Sequence, residues 1–248
     1  MILPAIDIHF FPILPTMTHC IPLHRLAATV AGCLLLAAGA QPLAAATARA
    51  TWLYQEDTGH RSKNFQWQHS SLADREVITV HEENGVFVNH CDRAGRTLSW
   101  QFRQGESTKI EAVRRGNDLL ISGTLQGRRV DNVHARDDRP WYQPLSFSLR
   151  FFLAAGGQKT SFWTIRSDTL DVVTMQAERK GLDAVEIDGE PVPAFRIEIR
   201  RTGVLSSFWH GTFWFRQTDR LFVRYQGVHG PPGTSETTVR LQREMRRR

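Results

Sequence analysis

Period two is the feature that most limits what this chain can fold into. Leu98, Trp100 and Phe102 alternate with Ser99, Gln101 and Arg103; Phe195, Ile197 and Ile199 alternate with Arg196, Glu198 and Arg200; Leu221, Val223 and Tyr225 alternate with Arg220, Phe222 and Arg224. Side chains two apart stand on one face of a strand, so these segments read as strands with one buried and one wet face, the habit of antiparallel sheets. Asn84-Gly85 and Asp188-Gly189 fall between such segments and supply the positive φ angles of tight hairpins. Further strands are expected at 64–69, 77–81, 86–91, 108–113, 118–125, 161–166, 172–179, 184–187, 192–199, 209–216 and 237–241. The pattern predicts a mainly β protein, a single curved antiparallel sheet or half-barrel of about ten to twelve strands. No internal repeat or linker divides it.

Residues 141–153 break the pattern. Trp141, Leu145, Leu149 and Phe152 recur at helical spacing, and Phe147 with Phe151 adds an i,i+4 pair. The segment reads as the one principal helix, although Leu145, Phe147, Leu149, Phe151 and Leu153 also alternate as in a strand. Pro144 would bend the helix or mark its true start, and Gly156-Gly157 ends it. Apolar residues run almost all round it, so it cannot lie on a surface with one side in water. It is expected to plug the mouth of the curved sheet or to touch lipid.

The 248 residues are 41% hydrophobic and 23% charged, enough for one real core and wrong for a disordered chain. The net charge of +6 invites a nucleic-acid reading, but the last nine residues carry five arginines and one glutamate, leaving +2 for the rest. Residues 243–248 therefore read as a solvated basic tail, with contact to anionic lipid headgroups as the alternative, and nucleic acid is not an expected partner.

The N-terminus reads as an export signal spanning 1–48. His24-Arg25 precedes an apolar run from Leu26 to Ala40, followed by the small-residue stretch around Ala44, Ala46, Ala48 and Ala50. The run is short of the ~20 residues that cross a membrane. Residues 1–16 do not fit this plan, and Met17 makes a better start. Val30-Ala31-Gly32-Cys33 matches a lipoprotein box, but the apolar run continues through Leu34, Leu35 and Leu36, so soluble release into the periplasm after Ala46, Ala48 or Ala50 is preferred to an anchor at Cys33. The released β domain, 49–242, would hold Cys91 as its single cysteine and form no internal disulfide.

Familiar catalytic and metal motifs fail on their chemistry. Gly230-Pro231-Pro232-Gly233-Thr234-Ser235-Glu236-Thr237 looks like a phosphate loop, but Glu236 stands where a lysine must meet the phosphates. His90 and Cys91 point to opposite faces of a strand and cannot pair, so Cys91 reads as buried and inert. The histidines His60, His69, His81, His90, His134, His210 and His229 have no metal-ligand spacing. No cofactor, metal site or enzymatic activity is expected.

Aromatic density peaks at Phe208-Trp209-His210-Gly211-Thr212-Phe213-Trp214-Phe215. On a strand, Trp209, Gly211, Phe213 and Phe215 share a face, with Gly211 as a gap in the wall. One account is an ordinary thick core covered by 141–153. The sharper account is an apolar cavity lined by Trp141, Leu145, Phe152, Trp209, Gly211, Phe213 and Phe215, with the helix as its lid.

The order of Phe162-Trp163, the 172–179 strand, Val185-Glu186-Ile187-Asp188-Gly189 and Trp214-Phe215-Arg216-Gln217-Thr218-Asp219-Arg220-Leu221-Phe222-Val223-Arg224-Tyr225 carries a resemblance. Across 160–242 the chain resembles an uncharacterised family of exported bacterial β-proteins of unknown function whose fold is similar to LolA/LolB-type lipoprotein carriers. Where that family often has proline after the leucine of the last-but-one strand, this chain has Phe222. The resemblance implies an envelope location and a lipid or acyl ligand, and supplies no catalytic residues. The expected function is that of a periplasmic carrier or binding protein for an apolar envelope molecule, with peripheral membrane contact open to it. The alternative is a non-catalytic envelope assembly or structural protein that binds other envelope proteins.

Overall fold

The computed structural model describes residues 48–202, 210–228 and 234–246. Cys33, all but the last residue of the 1–48 export segment, Trp209 and Gly230 to Gly233 lie outside the described residues. Eight strands come first: β1 (Ala48–Thr58), β2 (Arg61–Ser71), β3 (Glu76–His81), β4 (Gly85–Cys91), β5 (Thr97–Gln104), β6 (Thr108–Arg115), β7 (Asp118–Leu125) and β8 (Arg128–Ala135). The helix α1 (Leu145–Ala154) follows, then β9 (Lys159–Ile165), β10 (Val172–Ile187), β11 (Glu190–Arg201), β12 (His210–Arg216), β13 (Phe222–Val228) and β14 (Glu236–Arg246). All fourteen strands form one sheet in the order β8-β7-β6-β5-β4-β3-β2-β1-β14-β13-β12-β11-β10-β9. Two meanders thus meet where the first strand pairs antiparallel with the last.

The mainly β class, the single antiparallel sheet and the single helix among the described residues are as expected. The strand number is higher because β1 and β8 write no clear period, even though two expected segments merge into one strand. β8 carries almost no buried side chains, with Val133 65% exposed, so it shows no apolar period. β1 mixes Glu56 into its buried row beside Trp52 and Tyr54. The segments 172–179 and 184–187 are one 16-residue strand, β10, which passes through a bulge between Arg179 and Gly181, where Gly181 takes φ +134°.

Two other local readings change. Asp188 and Gly189 do turn at positive φ, 53° and 81°, but neither Asn84 nor Gly85 does; that hairpin closes with the Glu82 amide donating to the Gly85 carbonyl at 2.9 Å. Leu98 is 41% exposed instead of sharing the inner face with Trp100, because a bulge pairs His90 with Ser99 and Cys91 with Thr97, leaving Leu98 unpaired between them. Residues 243–246, expected in a basic tail, belong to β14, which continues through Arg246 opposite Ala50, seated between β1 and β13. Arg240 and Arg243 are exposed on a strand that buries Val239 and Leu241, and Arg240 reaches Asp57 at 3.0 Å.

The sheet curls back on itself. Flat, β6 and β9 would lie about 50 Å apart at the usual spacing of neighbouring strands. Yet the Arg114 guanidinium of β6 sits 5.5 Å from the centre of the Trp163 ring on β9. Residues 140–143 close the gap between the two sides. Trp163 donates its amide to the Pro140 carbonyl at 3.1 Å, Tyr142 donates to the Trp163 carbonyl at 3.1 Å, and Thr97 at the start of β5 donates to the Trp141 carbonyl at 2.8 Å. The concave face holds the core, including Trp52, Tyr54, Phe65, Trp67, Trp100, Phe162, Phe213, Phe215 and Phe222, with α1 lying in it. No helix among the described residues is long and apolar enough to cross a membrane.

Candidate functional site

The helix begins later than the sequence period suggests. Pro144 sits at the N-cap, with its carbonyl accepting from the Phe147 and Ser148 amides at 2.8 Å each. Trp141 belongs to the strap that precedes it, stacked on Trp163 at 5.6 Å. Gln143, fully buried, fixes that strap. Its side-chain carbonyl accepts from Trp141 Nε1 (2.8 Å) and the Ile165 amide (3.0 Å), its Nε2 donates to the Ile165 carbonyl (2.9 Å), and its own amide donates to Thr97 Oγ1 (3.0 Å).

The residues expected to line a cavity are gathered by the fold, but as packed core. Trp141, Leu145, Phe213 and Phe215 are fully buried and Phe152 is 8% exposed. Gly211 is no gap. It pairs with Gly227 across β12 and β13, and the ring of Tyr225 lies over both: a Cβ on Gly211 would stand 2.7 Å from Tyr225 Cε2, and one on Gly227 2.2 Å from Tyr225 Oη.

A cleft of about 220 Å³ opens instead on another flank of α1, lined by Phe147, Arg150, Phe151 and Ala154 from the helix, His69, Ser71 and Glu76 from β2 and β3, and Asp219 and Arg220 from the turn before β13. Phe147 and Phe151 meet edge to face at 5.1 Å, and Phe147 tilts against His69 at 5.1 Å. Phe151 packs over Gly95, which turns at φ +75° and has no room for a side chain: a Cβ would lie 2.4 Å from the ring.

Both carboxylates of the cleft are engaged. Glu76, 6% exposed, hydrogen-bonds His69 Nε2 at 2.7 Å, accepts from Ser71 Oγ at 3.1 Å and pairs with Arg93. Asp219 accepts from Arg216 at 2.9 and 2.7 Å and from the Leu221 amide at 3.1 Å, while Arg216 also reaches Glu244 at 2.5 Å. Burial holds His69 below its ordinary pKa against the upward pull of Glu76. Burial also lowers Arg150, which faces Tyr54 on β1; Tyr54 itself is pushed up by complete burial, with its hydroxyl donating to the Phe222 carbonyl at 2.9 Å. Cys91 is buried and pushed up to about 12 by desolvation, so its thiol is not a nucleophile. No group of histidine, cysteine and acidic residues among the described ones could hold a metal ion.

None of the residues expected to line a cavity lines this cleft; sequence reading missed it because its members come from α1, β2, β3 and the turn before β13, far apart in the chain. One signal was visible: Arg150 is the sole charged residue in the otherwise apolar and small helix Leu145–Ala154.

No protein-family model matches the chain, and no curated protein sequence does. Among solved structures, a β-barrel-like protein of the domain of unknown function DUF1849 from Brucella abortus matches with a TM-score of 0.56 at 9% identity, covering 82% of this chain and 99% of that one. The hypothetical lipoprotein YmcC from Escherichia coli matches at 14% identity over 78% of this chain and 84% of that one, with a TM-score of 0.37. A LolA-superfamily protein, NE2245 from Nitrosomonas europaea, matches at 9% identity over 81% and 86%, with a TM-score of 0.25. The curled sheet with its enclosed helix therefore has the fold of the DUF1849 β-barrel-like protein, in keeping with the resemblance to uncharacterised β-proteins read from residues 160–242.

Proposed function

We propose that the chain is a periplasmic carrier or binding protein for an apolar, acyl-bearing envelope molecule, with α1 as its lid. The carrying observation is the cleft beside α1, where Phe147, Phe151 and Ala154 provide apolar wall at the mouth of the concave face. The acyl chain would enter there and, as α1 lifts, reach Trp141, Leu145, Phe152, Phe213 and Phe215, which pack as core while the helix is down.

Several observations support a helix built to move. α1 has no side-chain cap, no acid in its first turn and no base in its last. Its buried Ser146 and Ser148 hydroxyls have no hydrogen-bond partner among the described residues, and neither do Trp67 Nε1, Trp100 Nε1 and Asn89 Oδ1 on the sheet. An unpaired buried polar group costs about 1–3 kcal/mol, so the closed arrangement is not the best one these groups can have.

We further propose that export ends with cleavage after Ala46. Ala48 and Ala50 pair with Ser71 and His69, so a cut there leaves β1 whole. N-terminal sequencing of the envelope fraction should find Thr47 first; a mature product beginning at acylated Cys33 would replace release with an anchor.

The reading as an assembly protein is favoured by one feature, the outer edge of β8, which pairs with no further strand among the described residues and could accept one from a partner. Native mass spectrometry of protein purified from its own envelope separates the two. The carrier reading expects a bound mass of acyl-bearing size that is lost on delipidation; protein that is always bare, or always joined to another polypeptide, overturns it.

A further inference from the structure

Arg150 and Arg220 both line the α1 cleft, and neither has a carboxylate within salt-bridge distance among the described residues, although two carboxylates line the same cleft. Glu76 is taken by Arg93, His69 and Ser71, and Asp219 by Arg216 and the Leu221 amide. Arg150 feels the charge of Asp219 and Glu76 at longer range, but its direct contacts are one long hydrogen bond to the Asp219 carbonyl, 3.4 Å, and the face of Phe147 at 5.8 Å. Arg220 is held beside it by a tight turn, its amide donating to the Arg216 carbonyl at 2.8 Å and its backbone at φ +58°. That left-handed conformation costs a non-glycine residue about 1–2 kcal/mol, and the turn's side-chain hydrogen bonds go to Asp219, not to the Arg220 side chain. Arg220 Nε is buried and has no hydrogen-bond partner among the described residues. Two guanidinium groups thus line one half-buried cleft with most of their planar donor arrays unused, the arrangement that oxyanions match.

We infer that the α1 cleft takes an amphiphile with an anionic oxygen head, a carboxylate or a phosphate ester, the head held by Arg150 and Arg220 and the alkyl tail lying against Phe147 and Phe151. This rests on the proposal that the cleft is a ligand site and adds the class of ligand to it. An apolar ligand without a charged head would leave both guanidinium groups desolvated and unpaired.

Calorimetric titration of the delipidated mature protein with octanoate, octyl phosphate, octanol and inorganic phosphate tests it. Both anionic amphiphiles should bind about tenfold or more tightly than octanol, the order that charge-assisted hydrogen bonds contribute. Inorganic phosphate alone should bind far more weakly than octyl phosphate. Arg150→Gln and Arg220→Gln should each remove the advantage of the anions and leave octanol binding as it was. Arg220 is outside the helix, so its variant decides the matter if Arg150→Gln fails to fold by circular dichroism. Equal affinity for octanol and octanoate, in wild type, overturns the anionic head while leaving the acyl site standing. Phosphate binding as tight as octyl phosphate overturns the tail contact. If none of the four binds, both the cleft as ligand site and the head assignment fall.

Discussion

Tyr225 shows how one residue closes the concave face. Its ring lies along its own strand and over the facing glycines 211 and 227, so the sheet gains an aromatic surface where it has no side chains of its own. Gly211→Ala should therefore destabilise the fold by about 1–3 kcal/mol through overpacking, measured as a lower urea midpoint; an unchanged midpoint would mean that Tyr225 swings away freely. Cys91 is expected to resist a thiol reagent in the native protein and to react fully once unfolded, since burial both blocks access and suppresses the thiolate. His69 gives a pH dependence. Burial lowers its pKa, so the folded state holds the neutral ring while the unfolded chain takes up a proton first as the pH falls. The stability it contributes is present above the ordinary histidine pKa of about 6.5 and is lost as pH drops through it. His90 and His134 shift in the same direction by burial. Between about pH 7.5 and 5.5 the urea midpoint should fall in the wild type and fall less in His69→Gln; equal falls would assign the effect to the other two.

At the scale of elements, the strap before α1 carries more than the helix does. Gln143 joins Trp141 and Ile165 through its buried side-chain amide, and Thr97 on the other side of the curled sheet through its backbone amide. Gln143→Leu keeps much of the volume and the Thr97 bond but strands Trp141 Nε1 and the Ile165 amide and carbonyl, so a loss of about 3 kcal/mol or more is expected in denaturant unfolding, larger than for Leu149→Ala only if the strap and not the helix holds the closure. The helical period at Leu145, Leu149 and Phe152 was legible in the sequence because burial on nearly every side preserves it. Trp141 shared that spacing by coincidence: its backbone goes to Trp163 and Thr97, partners that no local pattern can announce. The strands were legible because a dry face and a wet face write the alternation. β8 was not, since its inner face is only half-buried, at Val130 and His134, with Asn132 exposed between them. Of the candidate cleft only the Phe147 and Phe151 pair was legible, as part of the helical period and not as a site; the residues expected to line a cavity do not line this cleft, and the engagement of Glu76 by Arg93, or of Asp219 by Arg216 and Leu221, depends on turns and pairings that the fold sets.

On the scale of the whole molecule, the curl decides which parts are held on both sides. β1 and β14 sit in the middle of the sheet, while β8 is paired along one edge alone. Hydrogen exchange should therefore be slow for the amides of β1 and fast for those of β8 that face away from β7; uniform protection would show that β8 is covered in solution. The pairing of the first strand with the last also governs the order in which the molecule can be made. Each meander, β2 to β8 and β9 to β13, can assemble from hairpins as it emerges, but Ala50 meets Arg246 only after everything between them exists. A chain delivered N-terminus first would keep β1 waiting, its edge open, until β14 arrives, the costly kind of long-range closure. Once joined, the two ends lie side by side. A circular permutant that links them and is opened at Gly127 should fold without that wait, making the seam in the sheet's middle the clock of its assembly.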